Sequence, residues 1–308
     1  MPMRIASLFG RDPAGGLPAL FQGRRISYSF NTRAAIRQAC DLLGLQSGDE
    51  VLAPAFNCGS ELDPLLHAGL TVVLYPVDRQ THVDIAAIEA GITSRTRAIY
   101  LIHYFGFLQP ATASLRALCD ARGLFLIEDC ALSLLSGANP ANGSAGDISL
   151  FCFYKFFPVI GGGALVINNS RITSEPRFDK RPSFRITGKA LLRASIDMAL
   201  GAERRHALMR RLRPGRPAPV APPVTGANSH PDMPSDYYFD DRLLNTRINS
   251  LTAHQIPTFD ISGAIAIRRS NYLTYLAAFA DRPGITPLFQ NLPDETCPLS
   301  MPILVENR

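Results

Sequence analysis

An alternation of short apolar runs with amphipathic segments between residues 48 and 129 does most to limit the fold. Glu50-Val51-Leu52-Ala53-Pro54 reads as a strand and Gly59 to Ala68 as a helix. Thr71-Val72-Val73-Leu74-Tyr75 is a second strand, followed by a helix over Ile85 to Ile92. Ala98 to His103 is a third, Ala111 to Arg122 a helix, and Leu124 to Glu128 a fourth strand. Short strands separated by helices imply βαβ units and a mainly parallel sheet. Right-handed crossovers place the helices on both faces. Ligands then bind beyond the C-terminal ends of the strands. His103, Asp129 and the turn Asn57-Cys58-Gly59 fall at such ends.

The run from Ser149 to Gly163 carries one lysine, Lys155, in an aromatic, apolar segment that closes on three glycines. Only Lys155, Lys180 and Lys189 are lysines among the 31 basic residues, the rest being arginine. Burying a charged amine is costly, so burial is expected to lower its pKa. A neutral amine forms a Schiff base with a carbonyl, and arginine does not. The same residues fit a lysine that snorkels from a strand end to water. Upstream, Leu124-Phe125-Leu126-Ile127-Glu128-Asp129 is an apolar run ending in two carboxylates, the pattern of a buried parallel strand opening into a site. A carboxylate there and a lysine about one strand later suggest a pyridoxal phosphate site. The glycines at 161–163 read as a close packing contact beside the lysine loop, with phosphate binding by the glycine run as the alternative.

Before these strands, Asn31 or Thr32 is positioned to cap a helix in which Ala35, Ile36, Ala39, Leu42 and Leu43 recur at helical spacing. Such a helix start, with a hydroxyl and Arg33, suits a phosphate, although an ordinary capped surface helix has the same pattern. Residues 1–30 read as an irregular arm. Beyond Lys155, Gly163 to Asn169 is a strand and turn. Residues 170–235 form an excursion with helices over Leu191 to Leu212 and a proline-rich linker over 213–223. The net charge of +5 gathers around 177–216. That stretch is a solvated basic surface, or a weak contact surface for an anionic ligand or lipid headgroup. It lacks interleaved aromatics, so nucleic acid is not expected. Helices return over Leu243 to Phe279, and Ile303-Leu304-Val305 is an apolar strand with nothing after it to pair with.

Apolar content of 46% with 19% charged residues is that of a globular chain. No segment approaches the roughly 18 unbroken apolar residues of a membrane span. The N-terminus lacks a signal-peptide pattern. Six scattered cysteines without a C-x-x-C pair read as reduced core thiols, which points to the cytoplasm.

These pieces, in this order, resemble the DegT/StrS family of pyridoxal phosphate sugar aminotransferases. The resemblance rests on Gly48 to Pro54, Ala68 to Asp78, Thr96 to Gly106, Ile127 to Ala131, and Phe151 to Lys155 with Gly161 to Val166. It implies an aspartate-aminotransferase-like α/β fold (fold type I). The expected large domain covers 31–240, and 241–308 holds a helical segment and the start of a C-terminal small domain that is cut short. By resemblance Lys155 holds the cofactor and Asp129 pairs with its ring nitrogen. Thr32, Arg33 and Ala34 take its phosphate, and Cys58, Cys152 and His103 complete the cofactor site. Cys58 stands where members place an aromatic on the cofactor ring, Leu132 where a histidine or glutamine follows the aspartate, and Cys152 where they have serine. The implied reaction moves an amino group, from glutamate by family habit, to a keto-sugar, nucleotide-linked, on a homodimer. A relative that binds the cofactor or a sugar nucleotide without turnover is the alternative. No metal is implied.

Overall fold

The computed structural model describes residues 16–137, 142–185, 188, 192 and 238–306. The helices and the proline-rich linker expected over 191–223 therefore lie, residue 192 apart, outside the described residues. So do residues 1–15 of the arm.

Seven strands form one sheet: β1 (Arg25–Ser29), β2 (Glu50–Pro54), β3 (Thr71–Tyr75), β4 (Thr96–Ile102), β5 (Phe125–Asp129), β6 (Ile148–Cys152) and β7 (Gly163–Ile167). Their spatial order is β1-β7-β6-β5-β4-β2-β3. Pairings from β6 through β5, β4 and β2 to β3 are parallel. β7 runs antiparallel to both of its neighbours, so it alone opposes the other six. The mainly parallel α/β sheet expected from the alternation is the sheet observed. The helices of its first half are α1 (Gly16–Ala19), α2 (Thr32–Leu42), α3 (Asp63–His67), α4 (Ile85–Ala90) and α5 (Thr112–Arg122).

Period-two alternation sorts the strand side chains between two cores. Val51, Ala53, Ala98, Tyr100, Ile102 and Ile127 pack with Ala35, Ile36 and Ala39 of α2 on one face. Leu52, Ile99, Leu101 and Leu126 pack with Ile88 of α4 and Leu115 of α5 on the other. At the end of β5, consecutive carboxylates are thereby sent to opposite faces: Asp129 toward the α2 side and Glu128 away from it.

The glycine run ties the sheet to α2. Gly161 and Gly162 have φ of +70° and +99°, and Gly162 N–H donates to Phe30 O. A Cβ on Gly163 would sit 2.9 Å from Thr32 N. The close-packing reading of these glycines holds, and the backbone they approach is the start of α2.

The C-terminal strand corrects an expectation. β9 (Ile303–Val305) is paired antiparallel with β8 (Ile285–Pro287), which precedes it and follows helix α7 (Ile261–Phe279). A short helix α6 (Ser250–Gln255) comes before α7. A three-residue strand ending in proline lacks the length and alternation by which strands are read. No described helix is long and apolar enough to cross a membrane.

Candidate active site

Four chain segments converge at one edge of the sheet. β5 ends on Asp129, β6 ends on Cys152 before the Lys155 loop, β7 starts at Gly163 opposite Cys152, and β1 ends at Ser29 just before α2. The resulting cavity, about 270 Å³, is lined by Asn31, Thr32 and Arg33 from the start of α2 and by Asp129, Cys152 and Lys155 from the ends of β5 and β6. A second cavity, about 250 Å³, shares Glu61, Asp129, Ala131 and Lys155 with it and is otherwise lined by Phe56, Cys58, Tyr104, Phe105 and Leu132 among others. The lysine and the acid thus stand where the two cavities meet.

Asp129 is 4% exposed. Its Oδ1 accepts from Ala131 N–H at 2.8 Å and its Oδ2 from the Tyr100 hydroxyl at 2.6 Å. Each oxygen keeps a lone pair for a further donor. Burial, then the nearby Glu61 charge, raise the Asp129 carboxyl above its ordinary value, against the pull of Tyr100, Lys155 and Ala131. The Lys155 ammonium makes no hydrogen bond or ion pair among the described residues. Here the structure reverses an expectation. Burial does pull the ammonium down, but Cys152, Asp129, Glu61 and Cys58 push it up and prevail, so its pKa is raised. Burial also pushes the Cys152 thiol up, against the opposing pull of Lys155.

At the start of α2, Asn31 caps the helix by accepting from Ala34 N–H at 2.9 Å. This occupies the N–H by which Ala34 was expected to serve a phosphate, and Ala34 does not line the cavity. Thr32 Oγ1 donates to Phe151 O at 3.1 Å, pinning the helix start to β6. The positive end of α2 and the Arg33 side chain remain on the cavity wall.

His103 lies away from both cavities. It is 1% exposed; its Nδ1 accepts from Gln109 N–H, so Nε2 carries the hydrogen donated to Glu128 Oε1 at 2.9 Å. Glu128 Oε2 accepts from Ala145 and Gly146 N–H at 3.0 and 2.7 Å. Burial raises the Glu128 carboxyl, but His103 and these amides outweigh it and lower its pKa. The ring is a structural donor behind the sheet rather than a cofactor ligand. With Cys130 nearby, the group has the composition of a metal site, yet the His103 nitrogens are already spent. Glu128→Leu strands these buried donors and is expected to destabilise the fold by about 3–5 kcal/mol, measured by urea unfolding at pH 7. Since the folded carboxyl titrates below its ordinary value, the gap to wild type narrows as pH falls below about 4.3.

Sequence reasoning passed over Ser60, Glu61, Tyr100 and Tyr154. Glu61 follows the Cys58 turn and lines both cavities. It accepts from Cys58 N–H at 2.9 Å, from the Cys58 thiol and from Ser60 Oγ at 3.2 Å. Its position three residues after Cys58, in a chain with few carboxylates near the site motifs, was the available signal. Phe56, Tyr104 and Phe105 cluster with ring centroids 5.2 to 6.3 Å apart and supply the aromatic wall that Cys58 cannot.

The sequence model of the DegT/DnrJ/EryC1/StrS aminotransferase family matches residues 25–196. GDP-perosamine synthase of Vibrio cholerae is 32% identical over 145 residues, 46% of this chain and 39% of that protein. The stretch matched is thus well under half of the curated relative. Helicobacter pylori PseC, an aminotransferase involved in the biosynthesis of pseudoaminic acid, aligns in structure with a TM-score of 0.64 at 20% identity, covering 94% of this chain and 68% of that one. The E. coli GDP-4-keto-6-deoxy-D-mannose-3-dehydratase with bound hydrated PLP aligns at 0.61 and 20% identity, covering 94% and 69%. Both likenesses show a shared fold.

Proposed function

Because the chain belongs to the DegT/DnrJ/EryC1/StrS aminotransferase family, we propose that its cavity holds pyridoxal 5'-phosphate and serves amino transfer from glutamate to a nucleotide-linked keto-sugar. The observation that carries this reading is the meeting of Lys155, Asp129 and the N-terminus of α2 on one cavity. The residues fit the cofactor end to end: a helix start with Arg33 for its phosphate, a buried acid with spare lone pairs for its ring nitrogen, and an unpaired amine for its aldehyde. When bound, the cofactor supplies a carbonyl that captures amines and a ring that accepts an electron pair.

Each protein group then has one task. Lys155 would hold the cofactor, and its Nζ, when free, would take and return the proton of the donor α-carbon. Asp129 would hold a proton on the ring nitrogen, and the hydrogen bonds from Tyr100 and Ala131 fix the position of its carboxylate. Arg33 and the α2 terminus hold the phosphate, while Thr32 and Gly163 keep that terminus against β6. Sugar relatives such as GDP-perosamine synthase support the substrate class. The half-exposed Phe56 and Tyr154 at the cavities support a second subunit over them, hence a homodimer. The six unpaired cysteines support a cytoplasmic setting.

The test is a half-reaction. Protein loaded with the cofactor and mixed with glutamate, without acceptor, is expected to release one equivalent of 2-oxoglutarate per Lys155. Cofactor binding with no oxo acid released from any amino acid would instead favour the binding-only alternative, for which Cys58 and Leu132 in place of ring-contacting side chains speak.

A further inference from the structure

Glu61 is a carboxylate at the wall shared by both cavities, and nothing in the lysine–aspartate chemistry uses it. Its carboxylate is held in place. Oε1 takes Cys58 N–H; Oε2 takes the Cys58 thiol and the Ser60 hydroxyl. The loop carrying it starts from β2, and Asn57 Nδ2 donates to Pro54 O at 2.9 Å, tying the loop back to that strand end. The Lys155 ammonium lines the same two cavities and makes no hydrogen bond or ion pair among the described residues.

We propose that Glu61 is a positioning residue for Lys155: a carboxylate fixed by its loop that serves as counter-charge to the lysine side chain and draws it into the cavity junction. A carboxylate supplies this role where a neutral polar side chain would not. The titratable groups around the pair are Asp129 from β5, Tyr100 from β4, Tyr104 after it, Cys152 from β6, Tyr154 beside the lysine, Cys58 on the Glu61 loop and Arg33 on α2. Burial pushes the Tyr100 hydroxyl and the Cys152 thiol up, and Arg33 lines one of the two cavities. Cys152, then Asp129 and Glu61, the two carboxylates of the set, and last Cys58 push the lysine's pKa up. Use of this charge in catalysis rests on the cofactor reading above; the charge relation itself does not.

The two are separated by competitive acetylation of the cofactor-free protein. Trace acetic anhydride labels neutral amines, and mass spectrometry of peptides reads each site. Because the chain has only three lysines, Lys155 is scored against the exposed Lys180 in the same sample. In Glu61→Gln, Lys155 is expected to label about three- to tenfold faster than in wild type at about pH 8, the curves converging at higher pH. Glu61→Asp, which keeps the charge, is expected to stay within about twofold of wild type. An unchanged Lys155 profile in Glu61→Gln overturns the proposal, as does Asp behaving like Gln, which would leave Glu61 a loop clamp only. A separate addition of pyridoxal phosphate to wild type reads the cofactor claim. No visible band beside a shifted labelling profile would defeat that claim and leave this one standing; a band beside an unshifted profile does the reverse.

Discussion

Lys155→Arg is expected to abolish amino transfer, lowering the glutamate half-reaction by at least about 10³-fold while leaving the fold in place. Arginine keeps a positive charge beside Asp129 and Glu61, so the electrostatics that favour a cation at this junction are retained. Its guanidinium stays protonated and is neither a nucleophile toward an aldehyde nor a shuttle for a proton. The substitution therefore separates charge from chemistry. Oxo-acid release in a single turnover is the readout, with an unchanged thermal midpoint as the fold control. Residual activity within tenfold of wild type would remove Lys155 from the reaction.

Asp129→Asn comes next in size. The amide keeps an acceptor for Ala131 N–H, and the Tyr100 hydroxyl can turn to accept from the new NH₂ group, so the expected stability loss is about 1 kcal/mol. What is lost is the negative charge that, on the proposed reading, would hold a proton on the ring nitrogen. The expected fall in the half-reaction rate is about 10²- to 10³-fold, the scale of one preorganised electrostatic contact. The visible band of the bound cofactor persists, because Lys155 is untouched. Stopped-flow mixing with glutamate, following decay of that band, measures the effect. Loss of the band together with the rate would mean that Asp129 supports binding rather than the chemistry.

The sheet was legible because its strands are short apolar runs at regular spacing, a pattern set by burial on both faces. Lys155 stood out because the chain is so poor in lysine. The two carboxylates at 128 and 129 were harder. Both end the same strand, and only the pleat decides that Asp129 turns toward α2 while Glu128 turns to His103. The same blindness to face misassigned His103, which sits at a strand end as a ligand residue would but points into the opposite layer. At Ala34 a capping asparagine and a phosphate compete for the same N–H group; in the structure Asn31 holds it, and the sequence does not say so. Glu61 was passed over since it lies on a loop without periodicity, placed by hydrogen bonds to Cys58 and Ser60 rather than by a pattern. The direction of the Lys155 shift failed for a related reason. Composition reports an apolar neighbourhood, whereas the groups that decide the matter are the Cys152 thiol at the end of β6 and charges that arrive through space from β5 and from the loop after β2.

The central claim is that this cavity anchors pyridoxal phosphate covalently on Lys155. The most direct measurement is borohydride reduction of the protein after incubation with the cofactor, followed by peptide mapping of its three lysines. The account predicts loss of the visible band and a stable phosphopyridoxyl mass on the peptide containing Lys155. A label spread equally over Lys155, Lys180 and Lys189, or no label at all, would contradict it.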